Sequence, residues 1–445
     1  MHRLVASLLF ASLLALGGCG GSAVFAPTPV GPLSNASFKG MYAFGFSGVN
    51  TLGFFSIAGS LQADGNGNIT AGVEDVNSAS GVFPNLAITG KYAISADGRG
   101  TATLFSSLNP IDIDFVLVSG KHALVIRFDQ NATASGTMDL QDVSAFSAAA
   151  LQGAFAFSLF GIDNGNTLAT AGMFSANNVG SITAGTEDFN DNGTVSTNLP
   201  LTGSLTVGGN GRGIAVLTTS LGTLNFAFYI VDANHLKLIE IDSNPVLAGD
   251  AFRQQGPFSN ARLSGAYPFT LGGSSSQGPF AAGGILTADG NGNISGGVED
   301  INNSGSVAQN LVLSGSYSIA SSDRGTLTLT TTAGSSNFVI YPSTGGVQML
   351  QIDSTVVSGG SAFAQQGAAF SNASIEGNYG LNLTGVTGGL EIDSIAQFAA
   401  DGNGHLKGTV DFNNSGVLAL GLALNGSYSA AGNGRFTATL SSSSG

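Results

Sequence analysis

Across 445 residues the chain has one cysteine, no tryptophan, four histidines, and 13 lysines and arginines against 27 aspartates and glutamates. One cysteine excludes disulfides and cysteine-built metal centres. The formal charge of −14 excludes the basic footprint of a nucleic-acid-binding protein. Only 9% of residues are charged, yet Val, Ile, Leu and Phe suffice to build cores, unlike in a disordered acidic tail. The one long apolar run, Leu4 to Leu16, is too short to span a bilayer as a helix. Beyond it helical periodicity is absent. The recurring serines have no consistent His and Asp partners, so no nucleophile–base set stands out and the chain is expected not to be an enzyme. What is abundant is glycine, 67 residues of it, and repetition.

The stretch FKGMYAFGF at 38–46 returns as LQGAFAFSL from 151, LSGAYPFTL from 263 and IEGNYGLNL from 375. The glycines Gly40, Gly153, Gly265 and Gly377 stand 113, 112 and 112 residues apart. DGNGNITAGVEDVN (64–77) and GKYAISADGRGTATL (90–104) return in the same order in the later copies. A period near 112 residues is that of a whole domain, not of a solenoid turn or propeller blade.

Within a copy, period-two alternation dominates: Tyr42, Phe44 and Phe46 alternate with Ala43 and Gly45. In the first copy strands are expected at about 38–47, 54–63, 68–77, 88–95, 100–106, 112–119, 122–129 and 135–142, joined by turns such as ADGNGN and ADGRG. Eight sequential strands remove their exposed edges most simply by closing on themselves. The expected fold is therefore all-β: tandem antiparallel eight-stranded up-and-down barrels, with a β-sandwich as the alternative. The Gly-x-Tyr or Gly-x-Phe opening strand and the module length resemble lipocalin and avidin barrels. The tryptophan that those families carry after the glycine is absent, so the resemblance implies architecture only.

Counting strand directions puts the DGNGN, ADGRG and SGK turns at one end of each barrel with the termini, and the longer connections SGVNTLG, NSASGVFPN, SSLNP and DQNATAS at the other. Asp64, Asn66 and Asn68 have calcium-loop spacing, but Ile69 stands where such a loop needs glycine, no helix flanks it, and the second copy reads ANNVGS. A hairpin turn is the better reading. Arg99, Arg212, Arg324 and Arg435 recur at the second turn, where they are expected to bond nearby carbonyls or Asp64, away from Glu74 and Asp75. A recurring acidic set, Asp75 with Asn77, Asp188 with Asn190, Asp300 with Asn302 and Asp411 with Asn413, joins Asp129, Asp242 and Asp353 at the far end. It suggests a mouth that attracts a cation or a polyhydroxylated ligand, Ca2+ being the one possible cofactor; loop capping by the same side chains is the plainer alternative. Glu74 and Asp75 are adjacent on a strand, point to opposite faces, and cannot flank one scissile bond. His122 and His235 lack a counterpart in the third copy, where Gly346 or Val347 stands.

MHRLVASLLFASLLALGGC has a basic start, a short apolar stretch and small residues before Cys19. Leu16-Gly17-Gly18-Cys19 resembles the lipobox of bacterial lipoproteins. That resemblance implies removal of residues 1–18, acylation of Cys19, anchorage to a membrane and, with Gly20 following the cysteine, placement in the outer membrane or at the cell surface. The expected organisation is a signal peptide (1–18), a lipidated tether (19–34), and modules at 35–148, 149–257, 258–368 and 369–445. The fourth stops after its fifth strand, as a fragment would; the alternative is that the last copy borrows strands from a neighbour. The function expected is a non-catalytic envelope lipoprotein, an adhesive or interaction scaffold with an unknown extracellular or envelope ligand. The alternative is a lipocalin-like barrel that binds a small ligand or cation in a hollow interior.

Overall fold

The computed structural model describes residues 4–9, 22–28, 31–344, 346–367 and 369–443. The first module is a closed barrel. Its eight strands are Lys39–Asn50, Gly53–Asp64, Asn68–Ser78, a split fourth strand (Gly81–Ala87 and Thr89–Ile94), Arg99–Phe105, Ile111–Ser119, His122–Arg127 and Ala132–Leu140. Each pairs antiparallel with its neighbours, and the eighth returns to the first with Leu140 opposite Tyr42. The second and third modules repeat this order, from Gly153–Asp163 to Val246–Arg253 and from Ser264–Ser275 to Val356–Phe363. Closure in all three rules out the sandwich.

The fourth strand departs from expectation. NSASGVFPN was expected as a loop, yet Gly81–Ala87 is a strand that pairs with the end of the third strand, and the chain turns at buried Ile88 to continue as Thr89–Ile94. Asn85, Asn198 and Asn310, with φ of 56°, 57° and 56°, mark the bulge where this segment bends, and Gly421 (φ 68°) does so in the fourth copy.

The interiors are filled. Phe38, Tyr42, Phe44, Phe46, Phe55 and Phe115 lie at the centre of the first barrel, each at most 3% exposed, and burying such a side chain contributes roughly 1.5–3 kcal/mol. Phenylalanine rings lie over inward glycines: a Cβ on Gly59 would be 2.2 Å from Cζ of Phe44, and one on Gly100 would be 2.4 Å from the Phe115 ring. Gly172 with Phe157 and Gly213 with Phe228 repeat the arrangement. In the fourth copy Leu381 and Ala396 stand opposite each other where Phe44 and Gly59 do, so a smaller side chain accompanies a larger neighbour and the volume is conserved.

Third strands carry a β-bulge that moves the phase of their alternation. Ile69 pairs with Ala63 but Ala71 with Gln62, so Thr70 is the extra residue. Ile69 therefore points inward while Val73 points out, where an unbroken alternation would put both on one face. His405–Asn414 in the fourth copy is one residue shorter and its register to the second strand is unbroken.

The fourth module holds five strands of its own, from Gly377–Thr387 to Arg435–Ser442. Leu4–Leu9 pairs with Arg435–Ser442, and Ser22–Pro27 pairs with Gly377–Thr387, the places of a sixth and an eighth strand. The expected tether thus includes a sheet strand.

Gly172→Ala should destabilise the second barrel by about 1–3 kcal/mol, because its Cβ would lie 2.4 Å from Phe157 Cζ and 2.5 Å from the Thr186 carbonyl oxygen. Denaturant unfolding of the full chain measures this, and an unchanged midpoint would show that the ring can move aside.

Candidate functional site

The recurring acidic residues lie between barrels. Asp75 is fully buried and accepts Nε and Nη2 of Arg212 from the second barrel at 2.8 and 2.7 Å, the Tyr229 hydroxyl, and the N–H of bulge residue Asn85 at 2.8 Å. Asp188 repeats every contact with Arg324 (2.9 and 2.7 Å), Tyr341 and the N–H of Asn198 (2.7 Å). Asp300 holds Arg435 through two bonds of 2.8 Å and accepts from Asn310 N–H at 2.7 Å. Asp411 accepts Nη1 of Arg99 in the first barrel at 3.4 Å and the N–H of Gly421 at 2.5 Å. The joints run first to second, second to third, third to fourth and fourth to first: a closed ring.

Two expectations are corrected here. Arg212, Arg324 and Arg435 each reach the preceding barrel's aspartate rather than Asp64 or carbonyls of their own turn, and the closing one, Arg99, reaches the fourth barrel's aspartate while also bonding Asp97 of its own turn. The phase of the third strand turns Asp75, Asp188, Asp300 and Asp411 to the outer wall, so they do not rim a mouth.

The paired asparagines are also in the joints. Asn77 donates its amide to the carbonyls of Glu240, Asp242 and Pro245. Asn190 donates to those of Gln351, Asp353 and Val356, and Asn413 to those of Arg127, Asp129 and Ala132. All three are 0% exposed. Asn302, their counterpart on the third barrel, is exposed.

Asp129, Asp242 and Asp353 do lie at the far end, but their oxygens order their own loops. Asp129 accepts from Arg127 Nε (2.7 Å) and Asn131 N–H (2.8 Å), while Asp242 and Asp353 accept both backbone and side-chain N–H groups of Asn225 and Asn337. Capping accounts for them. Asp64 is engaged likewise, taking the N–H groups of Asn66 and Asn68 and the Asn68 amide; the Asn68 side chain first, then these backbone bonds, hold its carboxyl down at about 2. Gly65 and Gly67 supply the positive φ of this turn. Among the described residues no group of three or more His, Cys, Asp or Glu could hold a metal ion.

Pattern reading missed a charged cluster in the first joint. Buried Lys237 reaches Asp139 across the joint at 2.8 Å, Thr137 Oγ1 at 2.7 Å and Asp250 at 3.4 Å. His122 and His235 contact these same aspartates at 2.5 and 2.7 Å. Both histidines are thus structural partners of buried carboxylates, and their shared turn position was the only sequence signal. Apolar contacts complete the joints: Ala43, Ala58 and Val73 pack on Ala227, Tyr229 and Ile239, and Ala156, Ala169 and Met173 pack with Val339, Tyr341 and Leu350.

Glu74 and Asp75 do face opposite ways. Glu74, Glu187 and Glu299 point inward, at most 6% exposed. Burial raises all three carboxyls, Glu187 to about 8 against a lowering hydrogen bond from Thr170, and Glu299 to about 7. Val410 takes this place in the fourth barrel.

Two outcomes follow. Arg324→Met leaves buried Asp188 without its cation and should cost about 3–5 kcal/mol, whereas Arg99→Met, which loses a single 3.4 Å contact to Asp411, should cost clearly less; unfolding midpoints of the two variants decide. Glu187 binds its proton more tightly folded than unfolded, so its contribution falls as pH rises from the ordinary glutamate value toward about 8, with a slope of up to ~1.4 kcal/mol per pH unit. Glu187→Gln should flatten the stability profile over that window, and an unaltered slope would mean that Glu187 is ionised in the fold.

No protein-family model matches the chain, and no curated protein matches it. Among solved structures, the crystal structure of CghA aligns over 94% of each chain with 8% identity and a TM-score of 0.14.

Proposed function

We propose that the protein is a non-catalytic envelope lipoprotein, a rigid interaction scaffold made of barrels locked side by side. The observation that carries this reading is the filled interior: phenylalanine rings seated on inward glycines occupy the space that a lipocalin-like ligand would need. The joints add rigidity, since each fixes a neighbour through buried polar contacts rather than a flexible linker.

LGGC supports anchorage through Cys19, which lies outside the described residues; in this reading the removal of residues 1–18 also takes Leu4–Leu9 out of the fourth sheet. Ser22–Pro27 begins three residues later and runs antiparallel to Gly377–Thr387, with Ser22 opposite Thr384 and Pro27 opposite Tyr379. Its start is therefore at the end of the fourth barrel that carries the longer connections, and an acyl group on Cys19 would lie within about 10 Å of that point at ~3.3 Å per residue. In this reading the end with the longer connections faces the membrane and the DGNGN turns face outward. The end with the longer connections exposes Leu52, Leu221 and Leu390, each more than half exposed, as suits proximity to lipid.

Mass spectrometry of the N-terminal peptide should find acylated Cys19, and Cys19→Ala should release the protein from the membrane fraction; an unmodified cysteine ends the lipoprotein reading. In a Cys19→Ser background fused to a transmembrane anchor, a cysteine at Asn66 should react with an impermeant maleimide on intact cells and one at Ser80 should not. The opposite pattern would reverse the orientation.

A further inference from the structure

The first joint sets a buried amine against carboxyl groups from two barrels. Lys237 is 4% exposed, and its stem passes over Gly45 of the first barrel. Asp139, on the eighth strand of the first barrel, brings Oδ2 to 2.8 Å from Nζ, and Asp250, paired with Lys237 in the second barrel, brings Oδ1 to 3.4 Å. The aligned hydrogen bonds of Nζ go to Thr137 Oγ1 at 2.7 Å and to Asp250, while Asp139 Oδ2 receives none. The other oxygen of Asp139 is 2.5 Å from His122 Nδ1. An amine therefore lies against a carboxyl group whose second oxygen is held by an N–H, with a further carboxylate at hand to carry protons.

We propose that Lys237 and Asp139 condense to an isopeptide bond, a covalent staple between the first and second barrels that the fold itself forms. Asp250 takes a proton from the Lys237 ammonium and passes it to Asp139 Oδ2. The freed lone pair on Nζ forms the bond to Asp139 Cγ, and the negative charge that builds on Oδ1 is met by the N–H of His122. A second proton moves from Nζ through Asp250 to Oδ2, the Cγ–Oδ2 bond breaks, and one water leaves. Ammonium and carboxylate become amide and water, Asp250 is again a carboxylate, and nothing is oxidised or reduced. Holding the reacting groups together is worth an effective concentration of about 10⁵–10⁸ M. Removal from water penalises the ion pair and spares the neutral amide, and the Asp139 side chain, 11% exposed, leaves the water a way out. The bond is confined to this joint, because Gln348 in the second joint and Leu124 where the ring closes take the place of Lys237. It needs only the joint, so it stands whether or not the chain is anchored to a membrane.

The test digests the denatured full chain with trypsin and maps the peptides by tandem mass spectrometry. Residues 128–212 and 213–253 should appear as one branched species, lighter than their sum by one water, with no cut after Lys237. Lys237→Gln, which copies the side chain of the second joint, should give the two peptides separately. Asp250→Asn keeps the shape of the joint and removes the proton carrier; it should fold, which circular dichroism checks, and give the branched species in at least tenfold lower yield. Unlinked peptides from the folded wild-type chain, a cut after Lys237, or a link mapped to a residue other than Asp139 would overturn the proposal, and a fully linked Asp250→Asn chain would overturn the route through Asp250.

Discussion

The structure depends on one repeated interaction, the two-pronged grip of an arginine from one barrel on a buried aspartate of its neighbour. A carboxylate taken out of water costs several kcal/mol unless its lone pairs are occupied. Asp75 and Asp188 have all of theirs used: two guanidinium N–H groups, a phenol, and a backbone N–H. The backbone donor is available only because Asn85 and Asn198 adopt positive φ at the bulge, which turns the N–H toward the aspartate. A local irregularity in the fourth strand and a contact between modules are thus one device. It also explains why that strand is split: its first half follows the third strand outward to the joint, and its second half returns to close the barrel.

Complete satisfaction makes the joint specific as well as stable. An apolar joint of Ala, Val and Ile tolerates sliding, whereas a buried aspartate that loses its arginine is heavily penalised. The asparagine amides fix a second point by binding three carbonyls at once, and two fixed points set the rotation of one barrel on the next. Joint chemistry then diverges around these points. Lys237 lies between Asp139 and Asp250 in the first joint; Gln348, fully buried, takes the corresponding place in the second, and Leu124 does so where the ring closes. The fixed frame lets the intervening side chains range from a charged network to plain hydrocarbon.

Strand count, order and closure could be read from sequence because inward residues alternate and turns carry their own chemistry: seven of the eight expected strands match the observed ones to within a few residues, and the fourth was missed over its first half. The joints could not, for two physical reasons. An extra residue at Thr70 inverts the alternation near the start of the third strand, so inward and outward exchange beyond it, and counting by twos from Ile69 puts Asp75 on the wrong wall. Topology within one barrel also separates Arg99 from Asp75 correctly, but the partner of each arginine is in another copy. The separations of 137, 136 and 135 residues between Asp75 and Arg212, Asp188 and Arg324, and Asp300 and Arg435 were a legible signal: a near-constant offset longer than the repeat marks a contact between copies. Lys237, present in one copy only, had no such signal.

The ring closes because its joints are head to tail. Strands one to three of each barrel meet strands six to eight of the next, an arrangement that must either close or extend without limit. Here Asp411 of the fourth barrel meets Arg99 of the first through the weakest of the four arginine grips: one 3.4 Å contact, with Arg99 also held by Asp97 at 3.0 Å and Val116 where the first two joints have tyrosine. It can be weaker without opening the ring, since the three preceding joints already hold its two halves together at high effective concentration. Selection for strength acts on the joints that must form between freely moving neighbours, and relaxes on the one whose geometry the other three impose.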